Sequence, residues 1–318
     1  MHCKKIYFIL GILILVLLYT DFTLAADGAV TQPIEQENMP WWVWALALFV
    51  VSFLLGIVAV LGGVGGGVLF VPIVSGFFFP FHLDFVRGAG LLVALAGALA
   101  AGPGLLKSGM ANLRLAMPLA LIASTSAIIG AIMGLALKPQ IIQLCLGITI
   151  LAIVFLMWKA KKSERPDVPV ADPISTALSI HGIYYDAASK KEIDWKVHRT
   201  PIALGLFIII GIMAGMFGLG AGWANVPVLN LVMGAPLKVS VATSKFMLSI
   251  VDTSAAWVYI NQGAIMAVIA IPSILGIMMG SLIGVRLLTR VNAAVVRKVV
   301  LLMLLFAGGR ALMKGIGM

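Results

Sequence analysis

One apolar stretch in the second half of the chain holds Thr243, Ser244 and Lys245, followed by Ser249 and Asp252. Upstream, Asn225 stands just before Pro227. On a helix, Ser249 and Asp252 fall at i+4 and i+7 from Lys245, on one face. An ammonium, hydroxyls and an amide are what a compact oxyanion needs in a place with little water: donors and a positive charge. Asp252 adds a carboxylate that either pairs with Lys245 or carries a proton. Each residue has a quieter alternative. Asn225 suits a helix-to-helix hydrogen bond. Thr243 and Ser244 suit a bond to the carbonyl one turn back. Lys245 lies about 10 Å along the helix from Lys238, within reach of snorkelling to the near interface. In the first half, Arg87 opens a span, either steering anions into a vestibule or anchoring its helix at the head groups. Asp84 beside it weakens the steering reading.

These side chains sit near a backbone signal that occurs twice. Residues 62–72 read GGVGGGVLFVP and residues 218–227 read GLGAGWANVP. With Pro72 placed over Pro227, Gly63, Gly65 and Gly67 fall on Gly218, Gly220 and Gly222. Alternating glycines each cost a helix about 1 kcal/mol relative to alanine. They also expose backbone N–H groups without side-chain obstruction. Broken elements in corresponding halves of a membrane chain point to a binding site, with half-helix N-termini adding a positive dipole end. The alternative is close helix packing of the small-x3-small kind, which the matched duplication argues against. The first copy brings only backbone, so it reads as the smooth wall of the site. The second, with Asn225 and the following Thr243–Lys245 run, reads as the side that holds the ligand.

The elements around these residues are membrane spans. Hydrophobic residues make up 62% of the chain and charged ones 11%, against about 45–50% and about 25% in soluble domains. Residues 1–25 read as a signal peptide or an uncleaved extra helix: Lys4 and Lys5 precede the short apolar run Ile6–Tyr19 and the small residues of Thr23–Ala25. Residues 26–40 are a polar, acidic external segment ending at a Trp41, Trp42 and Trp44 belt. Apolar spans follow at 41–61, 62–80, 86–106, 113–137 and 140–158. After a hydrophilic loop, further spans fall at 201–217, 218–236, 240–260, 264–288 and 295–314. The domain plan is thus a first repeat over 41–158, a loop over 159–200 and a second repeat over 201–318.

Charge orients this plan. The loop carries Lys159, Lys161, Lys162, Arg165, Lys190, Lys191, Lys196 and Arg199, so it is expected in the cytoplasm. The acidic 26–40 segment is expected outside. An odd number of crossings must separate the two, so each glycine-rich element counts as a broken crossing and the halves must be inverted. Gly109 with Gly263, Pro118 with Pro272, and Gly130 with Gly284 extend the repeat at one constant offset. Within the loop, 182–186 and 193–197 alternate polar and apolar residues and read as a small β-hairpin. The fold class is therefore an all-α polytopic membrane bundle of two inverted repeats of five spans.

The basic excess, 22 against 12 acidic residues, belongs to loops beside apolar spans and calls for no nucleic-acid partner. Cys3 and Cys145 form no ligand cluster. His2, His82, His181 and His198 lack metal-ligand spacing. No cofactor or metal is expected, and no catalytic constellation is found.

The paired glycine-proline elements, the hairpin loop and the Gly234–Ser244 run G-x-P-x-K-x3-A-T-S resemble the TauE/SafE sulfite-exporter family, also described as four-toluene-sulfonate-uptake-type permeases. The resemblance covers about residues 41–314. It implies an all-helical bundle of two repeats that moves small sulfur-containing anions such as sulfite, sulfoacetate, other sulfonates or thiosulfate. Family members often read G-[IV]-G-G-G in both elements; here the second is Gly-Leu-Gly-Ala-Gly. The first-half counterpart of Ala-Thr-Ser is Gly88-Ala89-Gly90, without hydroxyls. That puts a symmetric pair of polar sites in doubt.

The reading that follows is a secondary transporter in the bacterial inner membrane, most simply an exporter of sulfite or sulfoacetate. The ligand contacts are expected from Gly63, Gly65, Gly67, Gly218, Gly220, Gly222, Asn225, Thr243, Ser244 and Lys245. Coupling or gating falls to Asp252, Ser249 and Arg87. No G-x4-G-K-[ST] motif supports ATP drive. An anion channel, and a membrane enzyme or an assembly subunit for one, are the competing readings. A homodimer is a further expectation.

Overall fold

The structure is a computed structural model that describes residues 40–62, 65–77, 81–107, 111–159, 168, 170–186, 191–287 and 293–317. The leader over 1–25, nearly all of 26–40, Gly63, Gly109 and the loop cations Lys161, Lys162, Arg165 and Lys190 lie outside the described residues. Eleven α-helices and one hairpin make up the described chain. The first half has α1 (Trp41–Gly62), α2 (Gly66–Phe77), α3 (Leu83–Lys107), α4 (Leu113–Ala136) and α5 (Pro139–Lys159). A short α6 (Pro173–Ala177) precedes strands β1 (His181–Asp186) and β2 (Lys191–Lys196). The second half has α7 (Thr200–Phe217), α8 (Gly222–Pro227), a wide π-type turn (Val228–Val232), α9 (Leu237–Asn261), α10 (Ala267–Leu287) and α11 (Ala293–Ile316).

Among the described residues, five helices are long and apolar enough to cross a membrane, over Trp42–Val60, Leu83–Gly102, Leu113–Ala136, Thr200–Phe217 and Ala267–Val285. Their outward faces carry Leu121, Ile129, Ile132, Ile209, Leu275 and Met279, all more than half exposed or nearly so. A belt of that kind belongs against lipid, where every backbone group must be bonded within its helix. α9 has the length, at 25 residues, but carries Lys238, Lys245 and Asp252.

The glycine-rich elements depart from the expected long spans. α2 has 12 residues, about 18 Å of helix against about 30 Å of hydrocarbon. α8 has 6 residues and ends at Pro227, whose ring removes a donor. The chain then widens into the π-type turn, closed by Met233 N–H to the Val228 carbonyl at 3.0 Å. Both elements nevertheless return the chain over the height of the preceding helix. Phe81, beyond α2, packs edge-on against Trp44 at the start of α1, with ring centroids 5.8 Å apart. Beyond the wide turn, the Met233 carbonyl accepts from the N–H of His198, just before α7, at 3.0 Å. A re-entrant hairpin would bring the chain back to the end of the preceding helix instead.

Helix pairing crosses between the halves. α1 packs on α10 and α4 on α7, while α3 meets α9 and α5 meets α11. Glycines mark the closest approaches. On α10, Gly276, Gly280 and Gly284 press on Phe49, Phe53 and Ile57 of α1, so that pair runs parallel. On α7, Gly211 and Gly215 press on Ala123 and Ala127 of α4, also in parallel. α5 and α11 run antiparallel, with Gly147 against Leu312 and Gly308 against Ile150. Two cores result. One joins α1, α2, α3, α5, α10 and α11. The other joins α3, α4, α7, α8 and α9 with Ile180, Trp195 and Val197 of the hairpin region. Each core draws on both halves of the sequence.

The hairpin forms as expected, His181 pairing Lys196 and Asp186 pairing Lys191 in antiparallel register. Its base is fastened to the bundle. Asp172 caps α6 and accepts from Thr200 Oγ1 at 2.9 Å. Partial burial pushes the Asp172 carboxyl up, but the bonds from Ser175 and Thr200 outweigh it and hold the group below the usual carboxylate range.

Candidate functional site

The two glycine-rich breaks meet. Gly65 has φ +92°, a left-handed conformation that glycine adopts without strain. A Cβ there would stand 3.6 Å from the Cα of Gly222. A Cβ on Gly67 would fall 2.5 Å from the Leu219 carbonyl. Gly220, at φ +71°, faces α9: its Cβ would lie 2.9 and 3.1 Å from the two Asp252 carboxylate oxygens and 3.0 Å from Ala94 of α3. The two motifs thus touch in space, though not through the glycine pairs that their alignment sets together, with α3 and α9 closing the sides of the contact. Gly220→Val adds branched volume where the backbone is left-handed and a carboxylate is in contact. It is expected to abolish transport and lower the melting temperature, whereas Gly205→Ala, with open space around it, leaves both unchanged. Parallel flux and thermal-unfolding measurements on the pair check this.

Two polar side chains at this contact have no hydrogen-bond partner among the described residues. Asn225 lies one turn on from Gly222, on the same face of α8. It is fully buried, and neither its amide nitrogen nor its carbonyl oxygen is bonded. Asp252 is fully buried past the middle of α9, and neither carboxylate oxygen is bonded. The Ala221 amide lies alongside it without closing a bond of normal geometry. Each such atom costs about 1–3 kcal/mol when left unsatisfied. Lys245, partly buried on the same face of α9, interacts electrostatically with Asp252.

The other expected residues divide. Ser244 is buried next to Lys245. Thr243 Oγ1 accepts from the backbone N–H of Asn112 at 3.1 Å, a tie between α9 and the start of α4. Ser249 donates to the Phe246 carbonyl of its own helix at 2.7 Å. Gly218 lies against the Arg87 backbone.

Arg87 is placed differently from either expectation. It is 1% exposed, so it lines no open vestibule and anchors at no head group. Its guanidinium donates to the Met216 carbonyl at 2.8 Å and to the Gly134 carbonyl at 3.2 and 3.1 Å. It also pairs with Asp84. These carbonyls belong to the last turns of α7 and α4, where helices lack internal partners. The Tyr259 ring of α9 lies 5.8 Å from the guanidinium, and its hydroxyl donates to the Gly215 carbonyl at 3.0 Å. Arg87 is thus a buried strut joining three helices where the second glycine element begins.

Sequence reasoning missed Tyr259 and Trp223. Trp223 follows Gly222 directly, and its indole nitrogen is buried without a partner. Its place between Gly222 and Asn225 was the available signal. Among the described residues no group of three His, Cys, Asp or Glu side chains is arranged to hold a metal ion.

A family model described as sulfite exporter TauE/SafE matches residues 48–311. A Bacillus subtilis (strain 168) protein described as probable membrane transporter protein YunE is 23% identical over 277 residues, covering 85% of this chain and 97% of its own. No solved structure matches the chain.

Proposed function

This chain belongs to the TauE/SafE sulfite exporter family, and from that premise we propose that it is a secondary carrier for a small sulfur-containing anion. The chain is a multi-pass membrane transporter, not an enzyme. The observation that carries the finer reading is the contact between the two glycine-rich breaks, where Asn225 is buried with its polar atoms unpaired. An anionic sulfo group seated there would accept from the Asn225 amide and from backbone N–H groups at the start of α2. Lys245 would supply the countercharge and Ser244 a hydroxyl. The apolar walls exclude water, which strengthens each of these interactions.

Alternating access suits the packing. The opposed directions of α3 and α9, whose Gly88 and Ala94 lie level with Tyr259 and Asp252, and of α5 and α11 support two inverted repeats. The bodies that move past one another are then the two cores, each with helices of both halves, meeting at α3 and the glycine contact. The positive charge of the 159–200 loop supports a cytoplasmic hairpin and an inner-membrane location. Contacts of such a carrier with a second copy, as a homodimer, are a further part of this reading.

The test is a thermal-shift screen of purified protein against sulfite, sulfate, thiosulfate, taurine and sulfoacetate, followed by counterflow in proteoliposomes. Saturable uptake of labelled sulfite, accelerated by unlabelled sulfite on the opposite side, is expected. Non-saturating flux without trans-acceleration would instead favour an anion channel.

A further inference from the structure

The Asp252 carboxylate is at odds with an anion site. It touches Gly220 at the glycine contact, is fully buried, and has both oxygens unbonded. A second negative charge arriving beside it would be repelled in a medium that screens poorly. We propose that Asp252 is a proton-binding residue and that its proton moves with the anion, one for each singly charged sulfo anion. This rests on the anion site described above and narrows its substrate class.

The charges balance as follows. In the empty site, Lys245 and Asp252 are each other's counterions. When the anion enters it becomes the counterion of Lys245. Asp252 then takes a proton from hydronium arriving from the same side: one carboxyl O–H bond forms and one O–H bond of hydronium breaks, leaving water. The neutral carboxyl can donate to an anion oxygen, which a carboxylate cannot. Anion and proton leave together on the far side, and the Lys245–Asp252 pair re-forms. The occupied site is neutral for a monoanion and one charge negative for a dianion, so a sulfonate or hydrogen sulfite is favoured over sulfate.

The groups around Asp252 allow this assignment. On α9 itself Lys245 is the charged neighbour, and Tyr259 is bonded to Gly215. α3 offers Asp84 and Arg87, paired with each other, and Lys107 at its far end. α4 offers Arg114, which is exposed. α7, α8 and the wide turn carry no titratable side chain.

The experiment uses the full chain in proteoliposomes with labelled methanesulfonate, a monoanion at every pH used, and with sulfite. Wild-type protein is expected to accumulate methanesulfonate up to about tenfold for one unit of pH gradient. Its half-saturating concentration is expected to rise up to about tenfold per unit as pH rises, because binding needs the protonated carboxyl. Asp252→Asn, which cannot release a proton, is expected to lose gradient-driven accumulation, and its counterflow, at whatever rate, to become independent of pH. Counterflow of methanesulfonate without any effect of the gradient would overturn the proton coupling alone. Counterflow of sulfite that grows as rising pH converts hydrogen sulfite to the dianion would overturn the monoanion assignment. Absence of counterflow for both would overturn the anion site itself. If the variant does not assemble, the wild-type gradient and pH series decide the question.

Discussion

Lys245→Met is expected to reduce saturable sulfite counterflow by more than about tenfold, while the protein still assembles. The methionine keeps the length and apolar stem of the lysine and removes only the charge. Losing one partner of a buried charged contact costs about 2–5 kcal/mol of binding, which at about 1.4 kcal/mol per decade exceeds tenfold throughout the range. Asn225→Leu is the companion variant and has a second, opposite signature. The amide now has both polar atoms buried and unbonded, so leucine removes a desolvation cost in the empty protein. Flux is therefore expected to fall while the melting temperature holds or rises. Loss of function together with gain of stability separates a ligand contact from a structural one. Unchanged flux in both variants would sink the site assignment.

Arg87→Met is expected to give the largest loss of stability of any single substitution considered, about 3–5 kcal/mol. It removes the donors that serve the carbonyls of Gly134 and Met216 and leaves Asp84 without its partner. Arg87→Lys keeps the charge but not the planar fork that reaches both helix ends, and is expected to recover only part of the loss. Thermal unfolding in detergent, followed by size-exclusion chromatography, checks both. A melting temperature within a degree or two of the wild type for Arg87→Met would mean that these carbonyls find other donors. The strut role would then be wrong.

Much of the architecture was legible because membranes make sequence explicit. Spans must be apolar, and breaks must carry glycine or proline, so the ten elements and the two interruptions could be read directly. The repeat set Gly65 over Gly220, whereas in space Gly65 meets Gly222. The hairpin followed from alternation of polar and apolar residues on either side of Ala187–Lys191. Arg87 was not legible. Its sequence position beside Asp84, at the head of an apolar run, is what an interfacial anchor also looks like. Only the arrival of the last turns of α4 and α7 from distant sequence makes it a buried strut. The unbonded state of Asn225 and Asp252 was likewise beyond reach, since a polar residue in a span does not announce whether it has a partner. Ser249 shows the opposite failure: its i+4 spacing from Lys245 suggested a site, but a serine in a helix has its own carbonyls close at hand.

The exchanged pairing of α1 with α10 and of α4 with α7 also bears on how the chain is made. α1 leaves the ribosome long before its packing partner exists. The roughly 200 intervening residues take about 10–40 s at ordinary synthesis rates. Over that interval Ser52, which ends fully buried in the α1–α10 seam, faces lipid or a holding factor. α7 arrives much sooner after α4. The seam between α4 and α7 is therefore the one that can close during translation, and the seams of α1 with α10 and of α5 with α11 complete assembly last.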